Sequence, residues 1–135
     1  MKNIFSLILI ALSPLATIAQ SIDLQEDTTT NLYDSRHGAC AMADIDNDGD
    51  LDLIITGKDG NLTSDRTTLY SNDGLGNFTE ITETGLSILT DGGSIAFADT
   101  DGDGDQDLLL TGRDGSPTYY AHFYLNDGSG NFTPD

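Results

Sequence analysis

Residues Gly38–Gly60, "GACAMADIDNDGDLDLIITGKDG", return 55 positions later as "GSIAFADTDGDGDQDLLLTGRDG", Gly93–Gly115, with fourteen of 23 positions identical. A second stretch, "YSNDGLGNFT" (Tyr70–Thr79), returns 54 positions later as "YLNDGSGNFT" (Tyr124–Thr133), with eight of ten identical. The one-residue slip falls in the variable loops after Gly60 and Gly115. A chain built twice from one unit of this length must fold each unit in the same way and stack one on the other, because a single unit cannot bury its own apolar face.

Each unit reads as short strands joined by turns. In the first, "ACAMA", "DLIIT", "RTTLYSN" and "NFTEIT" are the expected strands, and "NDGLGN" is a turn whose glycine and asparagine tolerate positive φ. No helical apolar period of useful length occurs beyond the first residues. Four antiparallel strands per roughly 55 residues is close to one β-propeller blade. The expected fold is therefore all-β, with two four-stranded antiparallel blades of an incomplete propeller following a signal peptide. The expected division is a signal peptide at 1–19, an N-terminal segment at 20–37, a first repeat at 38–92 and a truncated second repeat at 93–135. "SIDLQED" in the N-terminal segment occupies the place that "NFTEITE" has before a first strand, so it is expected to be a ring-closing fourth strand. The second copy stops at "NFTPD", inside its own fourth strand, and the chain is expected to be the N-terminal fragment of a longer protein.

The densest charge of the chain falls between two apolar runs. "DIDNDGDLD" (Asp44–Asp52) and "DTDGDGDQD" (Asp99–Asp107) each hold five aspartates in nine residues. Calcium takes six to eight oxygen ligands, and a loop whose alternate side chains turn inward supplies most of them. In the first copy these are Asp44, Asp46 and Asp48, the carbonyl of Asp50 and the carboxylate of Asp52, with Gly49 at the sharp turn. In the second they are Asp99, Asp101 and Asp103, the carbonyl of Asp105 and the carboxylate of Asp107, with Gly104 at the turn. The side chains of Asp50 and Asp105 are expected to face outward. An EF-hand shares the first six positions, but it needs an acidic ligand at position 12, where Ile55 and Leu110 stand, and its flanks are helices. About two calcium ions are expected, one per repeat.

The chain carries 23 acidic residues against five Lys and Arg, a net charge of −18, and ten of the acids lie in the two loops. That balance excludes nucleic acid and anionic membranes as partners. The start of the chain, with Lys2, the apolar "IFSLILIAL" and small residues before Gln20, reads as a secretory leader cleaved after Ala19. No later run is long enough to span a bilayer. The expected location is secreted or at the cell surface. Cys40 is the only cysteine, so no internal disulfide forms, and bound metal is an alternative staple for a small exported domain. Cys40 aligns with Ile95 and is expected to be a small core residue. His37 and His122 have no partner pattern for a transition metal, and Lys58 and Arg113 read as exposed loop charges.

The D-x-D-x-D-G-x-x-D loops followed by "LDLIITG" and "QDLLLTG" resemble FG-GAP or VCBS-type repeats, and "LYSNDGLGNFTEI" and "FYLNDGSGNFTPD" resemble the VCBS form in particular. The resemblance covers about Gly38 to Asp135. It implies an integrin-α-like β-propeller in which the calcium loop joins the first two strands of a blade and is structural. "TGKDG" and "TGRDG" stand where FG-GAP repeats have Gly-Ala-Pro, which sets the chain apart from integrins proper. The implied role is a non-enzymatic, calcium-binding scaffold for binding or adhesion, with an extracellular protein or carbohydrate as ligand. The alternative is a partial propeller of a secreted carbohydrate-active enzyme such as a polysaccharide lyase, which would need a Lys, Arg, Tyr or His cluster in a cleft.

Overall fold

The computed structural model describes residues 32–61, 64–89 and 91–135. The expected leader and the expected ring-closing strand lie outside the described residues. Within them the chain is all-β, with nine strands in two antiparallel sheets and no helix. No helix among them is therefore long and apolar enough to cross a membrane.

The first sheet holds β1 (Ser35–Arg36), β2 (Cys40–Ala43), β3 (Asp52–Asp59), β4 (Asp65–Asn72) and β5 (Phe78–Ile81). The second holds β6 (Asp91–Ala98), β7 (Asp107–Arg113), β8 (Tyr119–Asn126) and β9 (Phe132–Pro134), in the order β6-β7-β8-β9. The expected strands are all present. The first sheet has five strands rather than four because its inner strand is interrupted. β1 pairs with Lys58 and Asp59, while β2 pairs with Asp52–Ile55 on the same side of β3. Together they occupy the place of β6, whose pairing with β7 shifts register between Asp91 and Ser94.

A glycine explains the interruption in both copies. Gly57 on β3 has φ +138°, and a Cβ there would come within 2.2 Å of Ser35 Oγ and 2.9 Å of Gly38 Cα. Its counterpart Gly112 has φ +149°, with Gly93 Cα 3.1 Å from the same imagined atom. The inner strand bends over this bare backbone, and only glycine permits both the conformation and the approach. Ser35 Oγ then donates to the Thr56 carbonyl at 2.7 Å.

The core lies between the sheets. From the first blade it takes Ala43, Ile45, Ile54 and Leu69; from the second, Leu108, Leu110, Tyr124 and Phe132. Leu86 and Leu89 of the connecting segment complete it. Alternation along each strand decides which side chains enter. Ile54 points from β3 toward the second blade and is 0% exposed, and Leu108 and Leu110 point from β7 toward the first and are 0% exposed. Phe132 packs between the blades as expected, while Phe78, its counterpart, is only half-buried.

Two expectations are corrected. Cys40 is exposed, because its face of the first sheet has no neighbouring blade among the described residues, whereas its counterpart Ile95 packs against the core. Lys58 and Arg113 are not loop charges. They lie on β3 and β7, half-buried, and pair with Asp65 at 2.8 Å and Asp91 at 2.6 Å on neighbouring strands.

Candidate metal centre

The loop 44–52 leaves β2 and returns as β3, and the loop 99–107 does the same between β6 and β7. The strand pairing therefore fixes both ends of each loop. Ala43 faces Asp52 across β2 and β3, and Ala98 faces Asp107 across β6 and β7. The backbone coils tightly between these anchors, with positive φ at Asn47 and Gly49 in one copy and at Gly102 and Gly104 in the other.

This coil turns carboxylates inward. In the first loop, oxygens of Asp44, Asp46 and Asp48 lie within 4.8 Å of one another. In the second, oxygens of Asp99, Asp101 and Asp107 do the same. Hydrogen bonds within the loops hold the side chains in place. Gly49 N–H donates to Asp44 Oδ2 at 3.1 Å, and Asp50 N–H to Asp48 Oδ1 at 2.9 Å. The equivalent bonds in the second loop run from Gly104 to Asp99 Oδ2 at 3.1 Å and from Asp105 to Asp103 Oδ1 at 2.9 Å. Asp44 Oδ1 is buried with no protein partner, an acceptor of the kind a cation satisfies.

The last aspartate of each loop has a second task that spacing alone did not reveal. Asp52 is 1% exposed, and its two oxygens accept from the N–H groups of Ile45 at 3.0 Å and Asn72 at 2.9 Å. Asp107, also 1% exposed, accepts from the N–H groups of Thr100 at 2.9 Å and Asn126 at 3.0 Å, and from the Thr100 hydroxyl. Each ties the start of its acidic loop to the end of the third strand of its blade. Asp52 does not join the close group of Asp44, Asp46 and Asp48, and Asp103 does not join that of Asp99, Asp101 and Asp107.

Crowded like charge is visible in the titration of the loops. Burial, followed by repulsion from Asp52, raises the Asp46 carboxyl above its ordinary value. At Asp101 the strongest single influence is the Asp103 N–H bond, which lowers it. Burial and the charges of Asp103 and Asp107 outweigh that bond, so the carboxyl is raised. At Asp107 burial pushes upward, but the bonds from the Thr100 hydroxyl and from the Asn126 and Thr100 N–H groups prevail and lower it.

Sequence reasoning missed the residues that lock the loop against the next blade. Ile45 is 1% exposed, and its carbonyl accepts from Asn126 Nδ2 at 2.8 Å and Gly130 N at 3.0 Å. Asn47 Nδ2 donates to Asp105 Oδ1 at 2.8 Å and to the Gly128 carbonyl at 3.3 Å. Asp105 thus faces outward from its own loop, as expected, and serves the junction. The available signal was the repeated "NDG", whose asparagine a turn alone does not require. The following aspartates, Asp73 and Asp127, do build the turns. Asp73 accepts from the N–H groups of Leu75 at 2.9 Å and Asn77 at 3.1 Å, and Asp127 from those of Ser129 at 2.9 Å and Asn131 at 3.3 Å.

Residues 44–110, from the first aspartate of one loop through the whole of the other and into β7, match the model of the FG-GAP-like repeat family. Neither a comparison with curated proteins nor one with solved structures gave a match. The matched region runs from loop to loop across the duplicated unit and both sheets, and the chain is an FG-GAP-type repeat protein.

Proposed function

We propose that this chain is an exported β-propeller segment whose two aspartate loops each hold a structural calcium ion, and that the blades so stabilised act as a binding or adhesion scaffold. One observation carries the reading: the convergence of three carboxylates at equivalent loops of both repeats. The FG-GAP-type repeat supports a scaffold role, such repeats being generally non-catalytic. The leader-like start and the strong acidic excess support export.

In the first loop Asp44, Asp46 and Asp48 would hold the ion, with the Asp50 carbonyl and water completing the oxygen shell. In the second, Asp99, Asp101 and Asp107 would do so, with Asp103 and the Asp105 carbonyl adjacent. Bound calcium supplies the positive charge that lets these carboxylates converge without mutual repulsion. The loop then holds Ile45 in the core between the blades, so metal binding is coupled to the blade junction rather than to the loop alone.

The test is thermal unfolding in calcium, in magnesium and in chelator. Extracellular calcium modules bind with dissociation constants of about 10⁻⁴–10⁻³ M. At about 10 mM calcium the midpoint is expected to rise by on the order of 10 °C over the chelated sample. Magnesium is expected to give much less, since it requires a smaller octahedral shell and releases its waters reluctantly. Equal midpoints in calcium and chelator would sink the proposal.

A further inference from the structure

Every half of the junction between the blades has an unpaired twin on the outside of the molecule. The first blade presents Ala41, Ala43, Ile45, Ile54 and Leu69 to its neighbour, and the last four are buried. The same positions of the second blade are Ala96, Ala98, Thr100, Leu109 and Phe123. Ala96, Ala98 and Thr100 are exposed, Leu109 is 37% exposed and Phe123 is half-buried.

The receiving side behaves in the same way. On the second blade Leu110 and Phe132 are buried against the first, and Ile95 and Phe97 pack on them. Their counterparts on the first blade are Ile55 and Phe78, half-buried, Cys40, exposed, and Met42, 51% exposed. Gly130 N donates to Ile45, whereas Gly76 has nothing within 4 Å of an imagined Cβ.

One side chain records the difference directly. Where a neighbour is present, the asparagine after the third strand reaches across: Asn126 Nδ2 donates to the Ile45 carbonyl. On the outer face its twin folds back, and Asn72 Nδ2 donates to its own loop at the Leu51 carbonyl, 3.1 Å away.

We propose that the chain assembles head to tail with further copies of itself, the outer face of the second blade docking on the outer face of the first blade of the next copy. The new junction continues the internal one. Leu109 enters where Ile54 sits, Met42 and Cys40 take the places of Phe97 and Ile95, and the Thr100 carbonyl accepts from Asn72 Nδ2 and Gly76 N. Such a contact is heterologous, so it closes into a ring when the rotation per copy allows. Closed propellers have roughly four to eight blades, which corresponds to about two to four copies. Gly102 replaces Asn47, so the bond to Asp50 that would match the one at Asp105 is missing, and the outer junction is weaker than the inner one.

The experiment measures the mass of the full 135-residue chain in calcium by light scattering and sedimentation, with M42D and L109D alongside. Both substitutions fall on exposed apolar side chains, and each disables one end. The unsubstituted chain is expected at about two to four times the single-chain mass. Each variant alone is expected as a single chain, and an equimolar mixture of the two as a one-to-one pair, because each retains the end that the other lacks. The unsubstituted protein gives an independent measure: Cys40 lies on the receiving face, so its labelling by a thiol reagent should slow as protein concentration rises. A single-chain mass with concentration-independent labelling of Cys40 overturns the proposal and leaves these faces to blades of another kind. So does assembly that neither substitution disturbs.

Discussion

Asp52→Ala is expected to lower the unfolding free energy by about 3–5 kcal/mol, and to do so in chelator as well as in calcium. The carboxylate is 1% exposed and accepts two backbone N–H groups from different parts of the blade. Removing it leaves both donors without a partner, at about 1–3 kcal/mol each, together with the space the side chain filled. A small domain has only about 5–15 kcal/mol in total, so the variant should be close to unfolded at 37 °C. Asp52→Asn keeps one acceptor and should lose about half as much. Urea unfolding followed by circular dichroism in chelator measures both. Asp107 plays the same part in the second blade, and its carboxyl is lowered from the ordinary value. A lowered carboxyl contributes stability above its unfolded-state value. That contribution is lost as pH falls through the folded-state value, so the second blade weakens in acid.

Asp46→Ala is expected to have the opposite character. Burial and the neighbouring charges already disfavour this carboxylate. Its removal should leave stability in chelator unchanged or raised by less than about 1 kcal/mol, because it relieves repulsion rather than breaking a tie. In calcium the same variant should lose the metal's stabilisation at the first loop, with affinity there falling roughly 100-fold, equivalent to about 2.7 kcal/mol. Melting curves of Asp46→Ala and Asp52→Ala, each in calcium and in chelator, therefore separate a metal-facing aspartate from a backbone tie. If Asp46→Ala destabilised the chelated protein as strongly as Asp52→Ala does, the division of labour within the loop would be wrong.

The strands and the duplication were legible because they rest on local pattern. Alternation places Ile54 on one face of β3 and Ile55 on the other, and the "NDG" turns sit where strands must reverse. The loops were legible as acidic coils because aspartates at every second position flank a glycine at a sharp turn. The division of labour among those aspartates was not. Asp46 and Asp52 are the same residue type at the same parity, and only the arrival of Asn72 from the third strand makes one of them a tie. The burial of Ile45 was hidden for a similar reason, since an apolar residue inside an acidic loop has no local explanation and its partners are 81 and 85 positions away. Cys40 was misplaced because alignment with Ile95 assumes that both blades have neighbours on the same side. Lys58 was misplaced because its partner Asp65 lies across a strand pair that sequence proximity to Asp59 obscured.

The most direct measurement is a calorimetric calcium titration of the chain, with magnesium as control. Two calcium ions per chain, and one for Asp46→Ala, is the result expected of paired structural sites in the two repeats. A folded chain that takes up no calcium would contradict it and would leave the two groups of converging carboxylates as surface charge.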